Sequence, residues 1–356
     1  MADDILFTSF KIGSLTVPNR IARSATMDYR AADDGSVTDV QVALYDSLAK
    51  GGCGLIITGF LYVSPDGRSA SRQTGIDNDA LIPGLHRLTD TVHAAGMTIA
   101  AQLVHGGVQI RKKTPGDLMA PSVLPSYTGV REMNDADIKL LIDSFIQAAV
   151  RAKTAGFDAV ELHAAHGYLL SSFLSPVTNL RTDIYGGSTE NRARIVIDII
   201  RGIKSACGIP VMIKMNGDDG YDGRGIDADE AARIAVLLEA AGADALEISR
   251  GMIGSVRTPA EPNIETAGEG YNLAAAARIK KAVSIPVIAV GGIRDKQSAV
   301  DALSNGTCDF IAFSRPLVRE PDLPNKFRAG AERAECISCN RCFNPRGLAC
   351  GQVGKG

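Results

Sequence analysis

Ala155-Gly156-Phe157-Asp158-Ala159-Val160-Glu161-Leu162 and Ala241-Gly242-Ala243-Asp244-Ala245-Leu246-Glu247-Ile248 are two copies of one sequence. In each, a helical pattern stops at a glycine and a short apolar run begins within three residues. Glycine takes the left-handed conformation at no steric cost, so it ends a helix and turns the chain into a strand. Ala95-Gly96 and Asn305-Gly306 repeat the junction. Outward from these joints, short apolar runs alternate with longer stretches carrying apolar residues at i, i+3 and i+4. Strands are expected at 20–26, 54–58, 98–103, 159–163, 210–215, 245–249, 286–290 and 309–313. Helices are expected at 40–50, 81–95, 135–155, 190–205, 228–241, 272–283, 296–305 and 323–329. Such alternation predicts parallel strands with helical crossovers, and eight repeats close an α/β TIM (β/α)8 barrel. A doubly wound open sheet is the competing architecture, but no Gly-x-Gly-x-x-Gly fingerprint follows the first strand. The expected organisation is one barrel over 1–330 and a Cys-rich tail over 331–356.

With 45% hydrophobic residues, 22% charged and a net charge of −2, the chain has no basic surplus for nucleic acid. No apolar run approaches the ~18 residues of a membrane span. A small molecule is the expected partner. The start, Met1-Ala2-Asp3-Asp4, lacks the basic region and apolar core of a signal peptide, so a cytoplasmic location is expected.

In a barrel the C-terminal ends of the strands form one mouth, where active sites sit. His163-Ala-Ala-His166-Gly-Tyr168 stands there, bringing two of the five histidines and a phenol within six positions. Thr26, Gly59, Gln102, Lys214, Arg250, Gly291-Gly292 and Ser314-Arg315 end the other strands. Phosphate is commonly held by the loops after strands seven and eight, where glycines expose N–H groups and an arginine offers a fork. Gly291, Gly292, Ser314 and Arg315 therefore suggest a phosphorylated ligand. Long loops at 104–134 and 169–188 leave the same mouth; the first, with Arg111-Lys112-Lys113 and Pro115, Pro121 and Pro125, reads as a solvated lid. Asp218-Asp219-Gly220-Tyr221-Asp222 lacks EF-hand spacing and reads as structural.

Several stretches together resemble the old yellow enzyme family of FMN-dependent oxidoreductases. They are Asn19-Arg20-Ile21…Ser24-Ala25-Thr26, Gly54-Leu-Ile-Ile-Thr-Gly59, Gln102-Leu103-Val-His105-Gly106, His163 to Tyr168, and Asn179-Leu-Arg181-Thr-Asp183-Ile-Tyr185-Gly186-Gly187-Ser188-Thr-Glu190-Asn191-Arg192. The likeness runs over roughly residues 5–330 and is nearest to the branch of trimethylamine dehydrogenase and the N-terminal part of 2,4-dienoyl-CoA reductase. It implies FMN across the mouth, with Ser24, Ala25, Thr26 and Gly59 at the ring, Gln102 at its pyrimidine edge, and Gly291, Gly292, Ser314 and Arg315 at the phosphate. Lys214 falls where many relatives have arginine, beside the flavin N1 region. His163 and His166 match a pair that hydrogen-bonds a substrate carbonyl, and Tyr168 a tyrosine that protonates the α-carbon, a task suited to a phenol with an ordinary pKa of ~10. Tyr29 is expected on the substrate side. Met27 stands where some relatives carry a flavin-tuning cysteine, and Phe60 where a small residue is common. The implied activity is ping-pong: NAD(P)H reduces the flavin, then an enone or enoate takes the hydride in the same mouth. Larger relatives continue into dinucleotide-binding domains that this chain does not show. Relatives often associate, so a homo-oligomer is expected by resemblance alone.

Of seven cysteines, Cys53, Cys207 and Cys308 are scattered in apolar surroundings and read as core fillers. Cys336, Cys339, Cys342 and Cys350 crowd the tail; four thiolates suit a [4Fe–4S] cluster and equally tetrahedral zinc, or the segment is a cofactor-free remnant. The alternative chemistry is a flavin-dependent amine dehydrogenase or demethylase passing electrons through such a cluster. It would need aromatic residues round a cation, and the chain has no tryptophan. Two further rivals are a Schiff-base aldolase using Lys214 and an interaction module built on the tail.

Overall fold

The computed structural model describes residues 4–110, 118–221, 224–252, 268–342 and 347–353. Eight parallel strands close a barrel: β1 (Ile21–Arg23), β2 (Leu55–Ile57), β3 (Thr98–Val104), β4 (Ala159–Ala164), β5 (Val211–Asn216), β6 (Ala245–Ser249), β7 (Val287–Val290) and β8 (Phe310–Phe313). Each pairs with the next, and β8 returns to β1. A two-residue strand, Leu61–Tyr62, extends the sheet beside the end of β3. The surrounding helices are α1 (Asp39–Lys50), α2 (Ile82–Ala94), α3 (Asp135–Thr154), α4 (Thr189–Ala206), α5 (Ala228–Ala240), α6 (Leu273–Lys280), α7 (Lys296–Ser304) and α8 (Leu323–Arg328). Among the described residues no helix is long and apolar enough to cross a membrane. Side-chain oxygens start several helices: Thr38 and Gln41 form a capping box on α1, and Asn134 and Asp137 do so on α3.

The repeated joint behaves as its sequence suggests, with Gly156 at φ 86° and Gly242 at φ 105°. Its aspartate has a task that spacing did not disclose. Asp158 Oδ2 accepts from the N–H of Ile99 in β3 at 2.8 Å, Asp244 Oδ2 from Val211 in β5 at 2.6 Å, and Asp309 Oδ2 from Val287 in β7 at 2.8 Å. Each aspartate thus ties the foot of one strand to the strand before it, where the backbone ladder runs out.

Side chains alternate between the two faces of the barrel wall. In β4, Val160, Leu162 and Ala164 pack outward in the main core with the helices, whereas Ala159 faces inward. Inside, the lower layers are apolar, with Ala22, Leu55, Ala100, Met212, Ala245, Ile288 and Phe310. A hairpin that the sequence reading missed, Phe10–Ile12 with Leu15–Val17, adds buried Ile12 and Val17 to this inner core. The interior turns polar only above those layers, which is what puts the site at the top.

In the first long loop, Leu118–Ala120 and Val130–Glu132 form a parallel pair. Arg111, Lys112, Lys113 and Pro115 of the expected lid lie outside the described residues, as does Asp222 of the aspartate-rich loop. The second loop begins with a buried short helix, Leu169–Leu174, directly after Tyr168. Cys53 and Cys308 are buried, their thiols pushed up to about 12 by desolvation, while Cys207 is only half-buried.

Candidate active site

β4 delivers His163 to the mouth fully buried, and the chain then turns through His166 at φ 62°. That left-handed backbone is held by the His166 N–H donating to Asn216 Oδ1 at 3.2 Å, with Asn216 itself anchored to Asp219 at 2.8 Å. The turn gathers the expected trio: the Tyr168 ring centroid lies 4.6 Å from that of His163, and the two imidazoles meet edge-to-face at 5.2 Å. Phe60 closes the group, 5.3 Å from Tyr168 and 6.0 Å from His163. Desolvation holds His163 well below the ordinary imidazole range, helped by His166 and Lys214. Desolvation and then Lys214 lower His166 to about 3. Both rings are therefore neutral at ordinary pH. The Ala165 N–H points at His163 Nδ1 at 3.4 Å, which leaves the ring proton on Nε2. His166 Nε2 lies 2.7 Å from Ser249 Oγ.

One layer deeper, five strands contribute a buried polar floor. Lys214 Nζ donates to Glu247 Oε1 at 2.7 Å and to Ser24 Oγ at 2.8 Å, and Ser24 Oγ donates to the same Glu247 oxygen at 2.6 Å. Gln102 Nε2 donates to Glu161 Oε2 at 2.6 Å. Burial, and next the neighbouring Glu247, push the Glu161 carboxyl well above its usual range.

On the β7–β8–β1 side, Thr26 and Ser314 hydroxyls meet at 2.8 Å. Gly291 and Gly292 have φ of 133° and 71°, and a Cβ on either would fall 2.7–2.9 Å from ring atoms of Tyr271. Backbone conformation and the approach of Tyr271 thus require glycine here before any ligand is considered. Arg315 Nη1 donates to the tail, to Ser338 O at 3.1 Å and Asn340 Oδ1 at 2.6 Å. Gly59 sits under the Thr26 carbonyl, with its N–H on the Tyr45 hydroxyl at 3.0 Å. Ala25 is half-buried beside them. Tyr29 follows at φ 54°, next to Asp28, whose carbonyl accepts from the Leu348 N–H of the tail at 2.9 Å.

The model of the NADH:flavin oxidoreductase / NADH oxidase family matches residues 5–334. The chain belongs to this family. A NADH oxidase of Thermoanaerobacter brockii is 39% identical over 94% of the chain and 52% of that protein. Among solved structures, the old yellow enzyme homologue of Zymomonas mobilis superposes with a TM-score of 0.79 at 27% identity, covering 94% of this chain and 95% of that one. Morphinone reductase in complex with tetrahydroNAD does so with a TM-score of 0.79 at 30% identity, covering 94% and 93%. The chain spans about half the length of the curated relatives it matches.

For a member of this flavin oxidoreductase family the chemistry of the mouth is apt. The amide of Gln102, the ammonium of Lys214 and the hydroxyls of Ser24 and Thr26 are donors suited to a ring edge rich in acceptors, and buried Glu161 Oε1 and Glu247 Oε2 have no hydrogen-bond partner among the described residues. Sequence reasoning missed Glu161, Glu247, Asn216, Ser249 and Asn340. The signal was present for two of them: a glutamate inside each quoted apolar run cannot face an apolar core.

The tail cysteines line one cavity of about 190 Å3 with Arg315, Arg319, Glu335 and Gln352. All four are free thiols, and among the described residues no three His, Cys, Asp or Glu side chains are gathered to hold a metal ion. The tail also acts as a strap: Ser338 and Asn340 hold Arg315, and Leu348 is tied to Asp28 and, through its carbonyl, to Arg30 Nη2 at 2.7 Å.

Proposed function

We propose that the mouth binds FMN and carries out NAD(P)H-driven reduction of an activated alkene of the enone or enoate type. The observation that carries this reading is the meeting of two neutral imidazoles and a phenol, with His163 and Tyr168 ring centroids 4.6 Å apart, above a floor containing Lys214. FMN would supply the acceptance of hydride from NAD(P)H and its delivery to the β-carbon of the alkene. Lys214, Gln102, Ser24, Ala25, Thr26 and Gly59 would hold the ring, and Gly291, Gly292, Ser314 and Arg315 the phosphate.

The chain's own residues account for polarisation and protonation. His163, neutral and with its proton on Nε2, donates a hydrogen bond to the substrate carbonyl without surrendering that proton, and so stabilises negative charge growing on the oxygen. His166, braced by Ser249 and Asn216, fixes the other side of that oxygen's pocket. Tyr168 donates its phenolic proton to the α-carbon. Phe60 and Tyr29 bound the space for the alkene. Nicotinamide and alkene use the same mouth in turn, which makes the kinetics ping-pong.

Purified protein should carry FMN at one per chain, and its absorbance should bleach when NADH or NADPH is added without oxygen and return when an enone follows. A colourless protein that is trapped by borohydride at Lys214 in the presence of a carbonyl substrate overturns the reading.

A further inference from the structure

The two copies of the αβ joint carry a glutamate at the same place, Glu161 in β4 and Glu247 in β6, both completely buried. An uncompensated buried carboxylate is strongly destabilising, so two side by side require an account. β5 runs between these strands and supplies one cation, Lys214. Lys214 and Ser24 both serve a single oxygen, Glu247 Oε1. Glu161 receives only the neutral amide of Gln102, on Oε2. The other oxygens, Glu161 Oε1 and Glu247 Oε2, are buried without a partner atom among the described residues, and Glu247 is near enough to push the Glu161 carboxyl upward. Among the described residues, the other polar groups at these strand ends are Ser24 just after β1, Gln102 on β3, His163 on β4, Asn216 on β5, Ser249 on β6 and His166 in the loop after β4. None of them supplies charge, because both imidazoles are neutral. One cation against two carboxylates leaves one negative charge unmatched. A single proton between Glu161 and Glu247 satisfies both bare oxygens and brings the sum to zero.

We propose that Glu161 and Glu247 are a carboxyl pair sharing one proton, with Glu247 as counter-ion of Lys214, and that they set the charge which the floor presents to the bound flavin. They are positioning residues, acting through Lys214. The inference rests on the flavin reading. A lone ammonium would favour the extra negative charge of a reduced ring; a carboxylate 2.7 Å away cancels most of that effect. Glu247→Gln uncovers the ammonium. Glu161→Gln keeps a neutral donor towards Glu247 and leaves the compensation in place.

The test is the two-electron midpoint potential of the FMN-loaded full chain, measured by dye equilibration. Glu247→Gln should favour the reduced form at least tenfold, ~30 mV upward, with Glu161→Gln staying near wild type. A Glu247→Gln protein that retains FMN at an unchanged potential overturns the proposal. A second measurement does not depend on flavin or on that variant folding. Flavin-free wild type at pH 7 should show the infrared carbonyl stretch of a protonated carboxyl, and Glu161→Gln should lose it; absence of the band in wild type also overturns the proposal. Wild type that takes up no FMN but shows the band sinks the flavin reading and leaves the carboxyl pair standing.

Discussion

The side-chain oxygen of Asn340 accepts a 2.6 Å hydrogen bond from Arg315 Nη1, tying the cysteine-rich tail to the second residue after β8. Ser338 O takes a second bond from the same nitrogen, and both tail residues sit at φ 58°. The tail thereby orients the guanidinium proposed to meet the phosphate. Loss of one hydrogen bond to a charged group costs ~1.5–3 kcal/mol. Asn340→Ala should accordingly weaken FMN binding about tenfold or more, and Arg315→Met further still, in fluorescence titrations of flavin-stripped protein. Unchanged affinity in Asn340→Ala would detach the tail from the phosphate site.

His163 and His166 make stability depend on pH in a definite direction. Their pKa values are lowered in the fold, His166 to about 3. Between an unfolded value of ~6.5 and the folded value, the unfolded chain binds protons that the native chain does not, so stability falls as pH falls. The slope is up to ~1.4 kcal/mol per pH unit for each ring. Urea midpoints should drop between pH 7 and pH 5, and His166→Asn should remove about half of the part due to this pair. A variant with the wild-type slope would contradict neutral burial of His166.

Gly292 and Gly96 separate backbone strain from crowding. Both have positive φ, 71° and 73°, but a Cβ on Gly292 would lie 2.9 Å from Tyr271 and 3.0 Å from the Gly268 carbonyl, while one on Gly96 would meet nothing within 4 Å. Gly96→Ala should cost ~1 kcal/mol and Gly292→Ala clearly more, ~2–3 kcal/mol. Denaturant unfolding of the pair checks this, and equal losses would mean that Tyr271 yields freely.

The tail thiols should react unequally. Cys339 is held below the ordinary thiol value by a hydrogen bond from the Gln352 amide and by the Arg341 N–H, whereas burial raises Cys342 and takes Cys53 and Cys308 to about 12. Limiting iodoacetamide at pH 7.5 should label Cys339 first and spare Cys53 and Cys308, as read by peptide mass spectrometry. Gln352→Ala should slow Cys339. Uniform labelling would show that the tail does not hold this arrangement.

The barrel was legible because its signal is repeated and local. Glycine at 156 and 242 stops a helix whatever surrounds it, and eight apolar runs leave little topological choice. His163, His166 and Tyr168 were legible for the same reason, being near one another in sequence and at a strand end. Partners fixed by closure of the barrel were not. Glu247 meets Ser24 only because β1, β5 and β6 share one interior, and no spacing along the chain encodes that meeting. The hairpin at Phe10–Ile12 and Leu15–Val17 escaped because three-residue strands carry too little periodicity to register. The aspartates at 158, 244 and 309 were visible as a repeat, yet their bonds to the preceding strand follow from three-dimensional register alone.

Anaerobic stopped-flow absorbance, following flavin through both half-reactions in wild type and Tyr168→Phe, tests the central claim most directly. The account predicts reduction by NAD(P)H within about twofold of wild type and reoxidation by an enone slowed at least a hundredfold, in the ~10²–10⁴ range of a lost general acid. Equal slowing of both halves, or no bleaching by either nicotinamide, would contradict it.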